Sequence, residues 1–232
     1  MSIGVKEKKI IKNLAFQSND EICGLIIKNN VYPCKNASKN PNHHFLISPL
    51  DYLKNSNKGK IDFVYHSHLE NADFSEFDKS NLFNLKLKGL MYCKNKDSFH
   101  YFFPQSYNNQ YVGRFFEIGV SDCLTLITNY YKNELNIILP KITRNKDWYK
   151  QNQNLVNEKI PPFLTKIDFN KARKNDIIVF DMLGNGMPCH FGIYLENDLL
   201  LHHPRNKLST IDLMTEKQKR KIAFALTTET KI

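Results

Sequence analysis

A polar stretch from Pro104 to Gln110, reading PQSYNNQ, constrains the fold of this chain more than any other feature. It interrupts the apolar patterning on both sides and reads as a linker. The 232 residues then divide into 1–104 and 105–232, each long enough to bury a core of its own.

Before the linker, helical and strand patterns mix. Val5, Ile10, Ile11 and Leu14 share one face of a helix that runs to Phe16. Cys23–Ile27 and Val31–Cys34 read as paired strands across Asn29-Asn30, and His44–Ile47 as another short strand. Ser48-Pro49 opens a helix, with Ser as N-cap and Pro at the first helical position. Ile61–Tyr65 is a nearly continuous apolar run, hence a buried strand, and it delivers His66 at its end. Ser75 and Asp78 have the spacing of a capping box, and strands at Leu87–Cys93 and Ser98–Phe103 close this half.

Beyond the linker, Leu124, Ile127, Tyr131 and Leu135 mark an amphipathic helix that begins at Cys123. An irregular stretch from Pro140 to Pro162 follows and holds the only tryptophan, Trp148. Strands are expected near Ile177–Phe180, Cys189–Leu195, Leu199–His202 and Lys221–Thr227. The class is α+β in two domains, the second a helix packed on a small antiparallel sheet.

Composition narrows the function. Apolar residues make up 41% and charged residues 24%, ordinary for a soluble globular chain. There is no run of 18 apolar residues and no apolar stretch of signal-peptide length in MSIGVKEKKI, so synthesis in the cytoplasm without membrane insertion is expected. The formal charge of +10 does not point to nucleic acid. Residues 1–104 carry 15 basic and 10 acidic groups, and residues 105–232 carry 18 and 13, so each half is +5 and no footprint is concentrated. The five cysteines are odd in number and lack CxxC spacing, which argues against a disulfide framework or a Cys-rich zinc site.

One of those cysteines stands where a nucleophile belongs. Cys123 opens its helix after the possible caps Ser121 and Asp122, and the positive end of a helix favours thiolate. His190 lies in the strand CHFGIYL, and a base on a rigid strand suits a Cys–His pair. His202 follows after a turn at Glu196-Asn197-Asp198, in hairpin range of His190, where it can orient the imidazole. His203 points to the other face and is expected at the surface.

This half resembles the NlpC-type cell-wall endopeptidases, in the subgroup found in lambda-like phage tail assembly proteins. The likeness runs from about Tyr111 to Thr227. It rests on Tyr111 twelve residues before Cys123, on Asp122-Cys123, and on KARKNDIIVF followed by CHFGIYLENDLLLHHPRNKLS. It implies a papain-like domain with Cys123 as nucleophile, His190 as base and His202 as its orienting partner. It also implies that Tyr111 shapes the oxyanion region, that no cofactor is needed and that the substrate is the stem peptide of peptidoglycan. Asn175 stands where the family usually has Gly, and Asn tolerates a left-handed backbone next best.

The first half carries a different set. His66 and His68 share a strand face, and Asp78 follows in a capped first turn, giving two imidazoles and a carboxylate suited to zinc with an open position. Glu21 is placed to act as general base, and Ser75 to bond an oxyanion or only to cap the helix. The order E-x-C-G-L, Y-x-C-x-N, YHSH and S-x-x-D resembles the JAMM (JAB-type) zinc peptidases over Glu21 to Phe103, with one residue fewer between His68 and Ser75 than their usual pattern. That likeness implies an α/β/α sandwich, zinc on His66, His68 and Asp78, and catalytic roles for Glu21 and Ser75.

Together the two likenesses imply a phage tail-tip hydrolase, made in the host cytoplasm, that acts on the cell wall beside other tail-tip proteins. Two alternatives stay open: a structural tail subunit with inert peptidase folds, and a cellular zinc or cysteine isopeptidase.

Overall fold

A computed structural model describes residues 3–142 and 160–228. Trp148 and most of the irregular stretch lie outside the described residues. The chain forms two compact units, Met1–Asn108 and Asn109–Ile232. The boundary falls within the expected linker but past its beginning. Pro104–Ser106 make a 3-10 turn, and the Tyr107 ring packs 5.4 Å from Phe83, so apolar packing holds this part of the stretch on the first unit.

In the first unit a helix, α1 (Val5–Phe16), precedes the hairpin β1 (Cys23–Ile27) and β2 (Asn30–Cys34). The hairpin turns at Lys28 and Asn29, both in the left-handed region with φ of 50° and 59°, which suits a two-residue turn between twisted strands. Next come α2 (Pro49–Ser56), β3 (Ile61–His68), α3 (Glu76–Leu85), β4 (Gly89–Cys93) and β5 (Ser98–Phe102). The sheet order is β2-β1-β3-β4-β5, with β3 and β4 parallel.

Both faces of this sheet are covered. Ile11 and Ala15 of α1 pack on Ile26, Phe63, Tyr65, Leu90 and Tyr92. On the other face Leu82 of α3 and Phe74 join Leu25, Val64, Met91 and Cys93, with Tyr52 of α2 against them. Strand parity therefore sends Val64, His66 and His68 to the α3 side.

Two expectations fail here. The buried face of α1 is Ile11 and Ala15, while Val5 and Ile10 are exposed, because the helix lies on the sheet along a narrower stripe than its sequence allows. His44–Ile47 is no strand; Ile47 makes one isolated bridge to Asn36, since the Asn36 side chain already bonds the backbone of Leu46 and His44.

The second unit begins its regular structure at α4 (Cys123–Glu134), followed by β6 (Leu164–Ile167), β7 (Ile177–Phe180), β8 (His190–Tyr194), β9 (Leu199–His202), β10 (Thr210–Leu213), the single turn α5 (Glu216–Lys219) and β11 (Ile222–Thr228). These make a six-stranded antiparallel sheet, order β10-β9-β8-β7-β11-β6, with α4 packed on β8. The buried face of α4 is Cys123, Leu126, Ile127 and Tyr131; Leu124 and Leu135 are only half-buried. Asn175 has φ of 76° and Glu196, Asn197 and Asp198 have φ of 69°, 50° and 64°, so both expected turns use the left-handed region.

Candidate functional sites

The cysteine lies at the mouth of a helix built to hold its position. Asp122 is the N-cap: its carboxylate accepts from the N–H groups of Leu124 and Thr125, each at 3.1 Å, and from Gly119 N at 2.6 Å. The Asp122 N–H donates to Thr125 Oγ1 at 2.6 Å, completing a capping box. Ser121 takes no part in that box. Cys123 is 8% exposed and lines a cleft of about 370 Å³ shared with His190, His202 and Asp212.

The histidines come from neighbouring strands. Gly192 of β8 sits opposite His202 of β9, and His190 is two residues before Gly192, so both imidazoles project from the same face. His190 Nε2 is 2.9 Å from His202 Nδ1. His202 Nε2 is in turn 3.1 Å from Asp212 Oδ2, and Asp212 Oδ1 accepts from Thr210 Oγ1 at 3.0 Å. Burial, with His202 and His203 nearby, pushes the His190 imidazole down to about 3, so it is neutral at ordinary pH and able to accept a proton. Burial opposes ionisation of Asp212, yet the hydrogen bond from His202 outweighs it and holds the carboxyl below its usual range.

Asp212 is the residue that sequence reading missed. Its signal was the period-2 run Thr210-Ile211-Asp212-Leu213, a strand too short to stand out from the polar residues around it. Two other expectations are corrected. His203 is fully buried with its ring 5.2 Å from Phe116, because its face of β9 is covered rather than open. Tyr111 does not reach the cleft. Its hydroxyl donates to Glu134 Oε1 at 2.7 Å, at the far end of α4, about 16 Å along the helix from Cys123 at 1.5 Å per residue.

In the first unit, the structure brings His66, His68 and Asp78 together. The two Nε2 atoms are 3.0 Å apart, and each is 3.5 Å from Asp78 Oδ2. Ligands of a tetrahedral zinc with bonds of about 2.0–2.2 Å are spaced about 3.3–3.6 Å apart, so this triangle fits the ion with little movement. His68 Nδ1 is 3.3 Å from Asn71 O, the kind of outer bond that turns Nε2 toward a metal. The His66 ring stacks on Phe45 at 4.4 Å.

Asp78 completes the triangle, and Glu21 and Ser75 frame it. Burial acts against the Asp78 charge, but His66, His68 and Ser75 overcome it and hold the carboxyl far below its usual range. Glu21 Oε1 is 3.6 Å from His68 Nε2, its Oε2 has no hydrogen-bond partner, and burial pushes its carboxyl up to about 8. Ser75 is the N-cap of α3: its Oγ donates to Asp78 Oδ2 at 2.6 Å and accepts from Asp78 N at 3.1 Å. The expected cap is present, and the same hydroxyl supports the Asp78 carboxylate.

Gly24 of β1 lies opposite Tyr65, on the face of the sheet away from this site. A Cβ on it would lie 2.6 Å from the Tyr65 side chain and closer still to the Tyr32 carbonyl.

Comparison with known proteins assigns the second unit to a family. The NlpC/P60 family model matches residues 108–226, and the chain belongs to that family. Its similarity reaches into phage tail proteins. Tail tip assembly protein K of Escherichia phage lambda is 29% identical over 177 residues, covering 75% of this chain and 85% of the relative. Tail tip assembly protein K of Escherichia phage N15 is 24% identical over 207 residues, covering 86% of this chain and 84% of the relative. A solved structure described as similar to lipoprotein, NLP/P60 family, from Staphylococcus aureus subsp. aureus Mu50 aligns with TM-score 0.36 and 21% identity, over 53% of this chain and 39% of that one.

Proposed function

We propose that this chain is a phage tail-tip hydrolase whose second unit cleaves peptidoglycan stem peptides with Cys123 as nucleophile and His190 as base. The observation that carries the reading is that a cysteine in the first turn of a helix and a neutral, hydrogen-bonded imidazole line one cleft in a domain of the NlpC/P60 family. In the reaction His190 accepts the Cys123 proton, the sulfur attacks the peptide carbonyl, and the imidazolium protonates the leaving amine. Water then hydrolyses the acyl-enzyme. His202 holds His190 in register through the 2.9 Å bond. The likeness to lambda and N15 tail tip proteins supports assembly in the host cytoplasm, other tail-tip proteins as partners, and action at the cell wall. No helix among the described residues is long and apolar enough to cross a membrane.

The first unit is proposed as a JAMM-like zinc hydrolase domain. Its order of elements, its sandwich of α1 and α3 about one sheet, and the His66, His68 and Asp78 triangle support this. Zinc held there would supply Lewis acidity for cleavage of an acyl bond. Glu21, buried beside His68 with an unpartnered oxygen, would be the group to take and return a proton there.

Digestion of purified peptidoglycan by wild type and by Cys123→Ala, with the muropeptides resolved, tests the hydrolase reading. New muropeptides are expected from the wild type alone; matching digests would refute it.

A further inference from the structure

We propose that Asp212 is a positioning residue that extends the nucleophile–base pair into a chain running Cys123, His190, His202, Asp212. The inference rests on the cysteine-hydrolase reading and adds to it a group that fixes which nitrogen does the chemistry.

An ionised carboxylate accepts hydrogen bonds and donates none. Asp212 Oδ2 lies 3.1 Å from His202 Nε2, so that nitrogen carries the hydrogen. A neutral imidazole has only one N–H, which leaves a lone pair on His202 Nδ1. That lone pair lies 2.9 Å from His190 Nε2, which must therefore be the donor. The lone pair of His190 is then on Nδ1, and Nδ1 is the atom that receives the proton. When the Cys123 S–H bond breaks, the new N–H bond forms there, and the two hydrogens already in the chain stay where they are. The charge that develops on His190 is met by the dipole of His202 and, behind it, by the fixed charge of Asp212.

Two features favour this role over surface decoration. Thr210 Oγ1 holds the second carboxylate oxygen at 3.0 Å, so the group is oriented from both ends. Thr210 also pairs directly with His202 across β10 and β9, which places Asp212 on the same sheet face as the imidazole it bonds.

The test is nitrogen-detected NMR of histidine tautomers, with turnover measured on the same samples of wild type, Asp212→Asn and Asp212→Leu. Wild type is expected to show hydrogen on Nε2 of both His190 and His202. Asp212→Leu should show mixed or reversed tautomers and lose kcat by about 10- to 100-fold at nearly constant KM. That is less than the ~10⁴-fold loss seen when an aspartate touching the base itself is neutralised, because here one imidazole intervenes. Asp212→Asn, which still accepts from His202, should keep the tautomers and recover part of the rate. Folding of each variant is read from the far-strand amide signals of β6 and β11. Unchanged tautomers and rate in a folded Asp212→Leu overturn the proposal. If Cys123→Ala leaves activity intact, the hydrolase reading falls instead, so the two failures are distinct.

Discussion

His66 Nε2 and His68 Nε2 lie 3.0 Å apart inside the first unit, with Asp78 Oδ2 3.5 Å from each. Two nitrogens and a carboxylate oxygen converge on one point, in a region where His66 is fully buried. Chain purified with zinc should therefore hold about one equivalent, and His66→Ala none. Chelation should lower the melting temperature of the wild type and leave that of His66→Ala unmoved. Equal metal content in the two proteins would remove zinc from the first unit.

Ser75 supports the same site indirectly. Its hydroxyl caps α3 and donates to the carboxylate oxygen that faces both histidines. Ser75→Ala should cost about 1 kcal/mol in denaturant unfolding as a lost cap. It should also weaken zinc binding by about 10- to 100-fold, as loss of an outer hydrogen bond to a ligand does. A stability loss with unchanged metal affinity would show that capping is its whole role.

Acidity in the cysteine cleft sets a pH signature. The His190 imidazole is pushed down to about 3, so its proton is gone well above that pH and no imidazolium stands ready to hold a thiolate. The rate of iodoacetamide modification at Cys123, read by peptide mapping, should rise steadily across pH ~5–8, where an ordinary histidine would titrate. A rate that is flat over that range would reveal a preformed ion pair and refute the neutral resting state.

Gly192 permits the approach of the two strands that carry the imidazoles. A Cβ at this position would lie 2.6 Å from Leu200 and 3.1 Å from His202 Cβ, and Leu200 is fully buried. Gly192→Ala should destabilise the fold by about 1–3 kcal/mol through overpacking and reduce turnover by displacing His202. A wild-type melting curve would contradict this packing.

The turn before β7 yields a contrast. Asn175 has φ of 76°, and its Oδ1 accepts from Tyr130 Oη at 2.8 Å. Asn175→Ala should lose about 1–2 kcal/mol in denaturant unfolding from the left-handed backbone, with the Tyr130 bond lost in addition. Asn175→Gly should lose less, since glycine meets no backbone penalty. Equal losses would assign the whole effect to the side chain.

Legibility followed locality. The capping box of Ser75 and Asp78, the turn at Asn175 and the shared face of His66 and His68 are all set by residues within a few positions of one another. The pairing of His190 with His202 was also readable, because a short hairpin fixes its own register. Asp212 was not, since its short strand is half polar, nor was the burial of His203, which depends on Phe116 from a distant segment. β6 (LTKI) and β10 (TIDL) lack the continuous apolar run that marks the equally short β7 and β9. Tyr111 had its place near the nucleophile only through the family resemblance, and its hydroxyl bonds Glu134 instead.

The two sites also differ in when they can exist. The atoms of the metal triangle come from His66, His68 and Asp78, with β4 beside them complete at Cys93, whereas the cysteine cleft joins Cys123 to partners as late as Asp212. On a ribosome, the first set can assemble while much of the chain is still unmade, and the sulfur must wait for strands translated long after it. A nascent chain thus carries an unarmed thiol until the base at His190 and its support from His202 and Asp212 have been made.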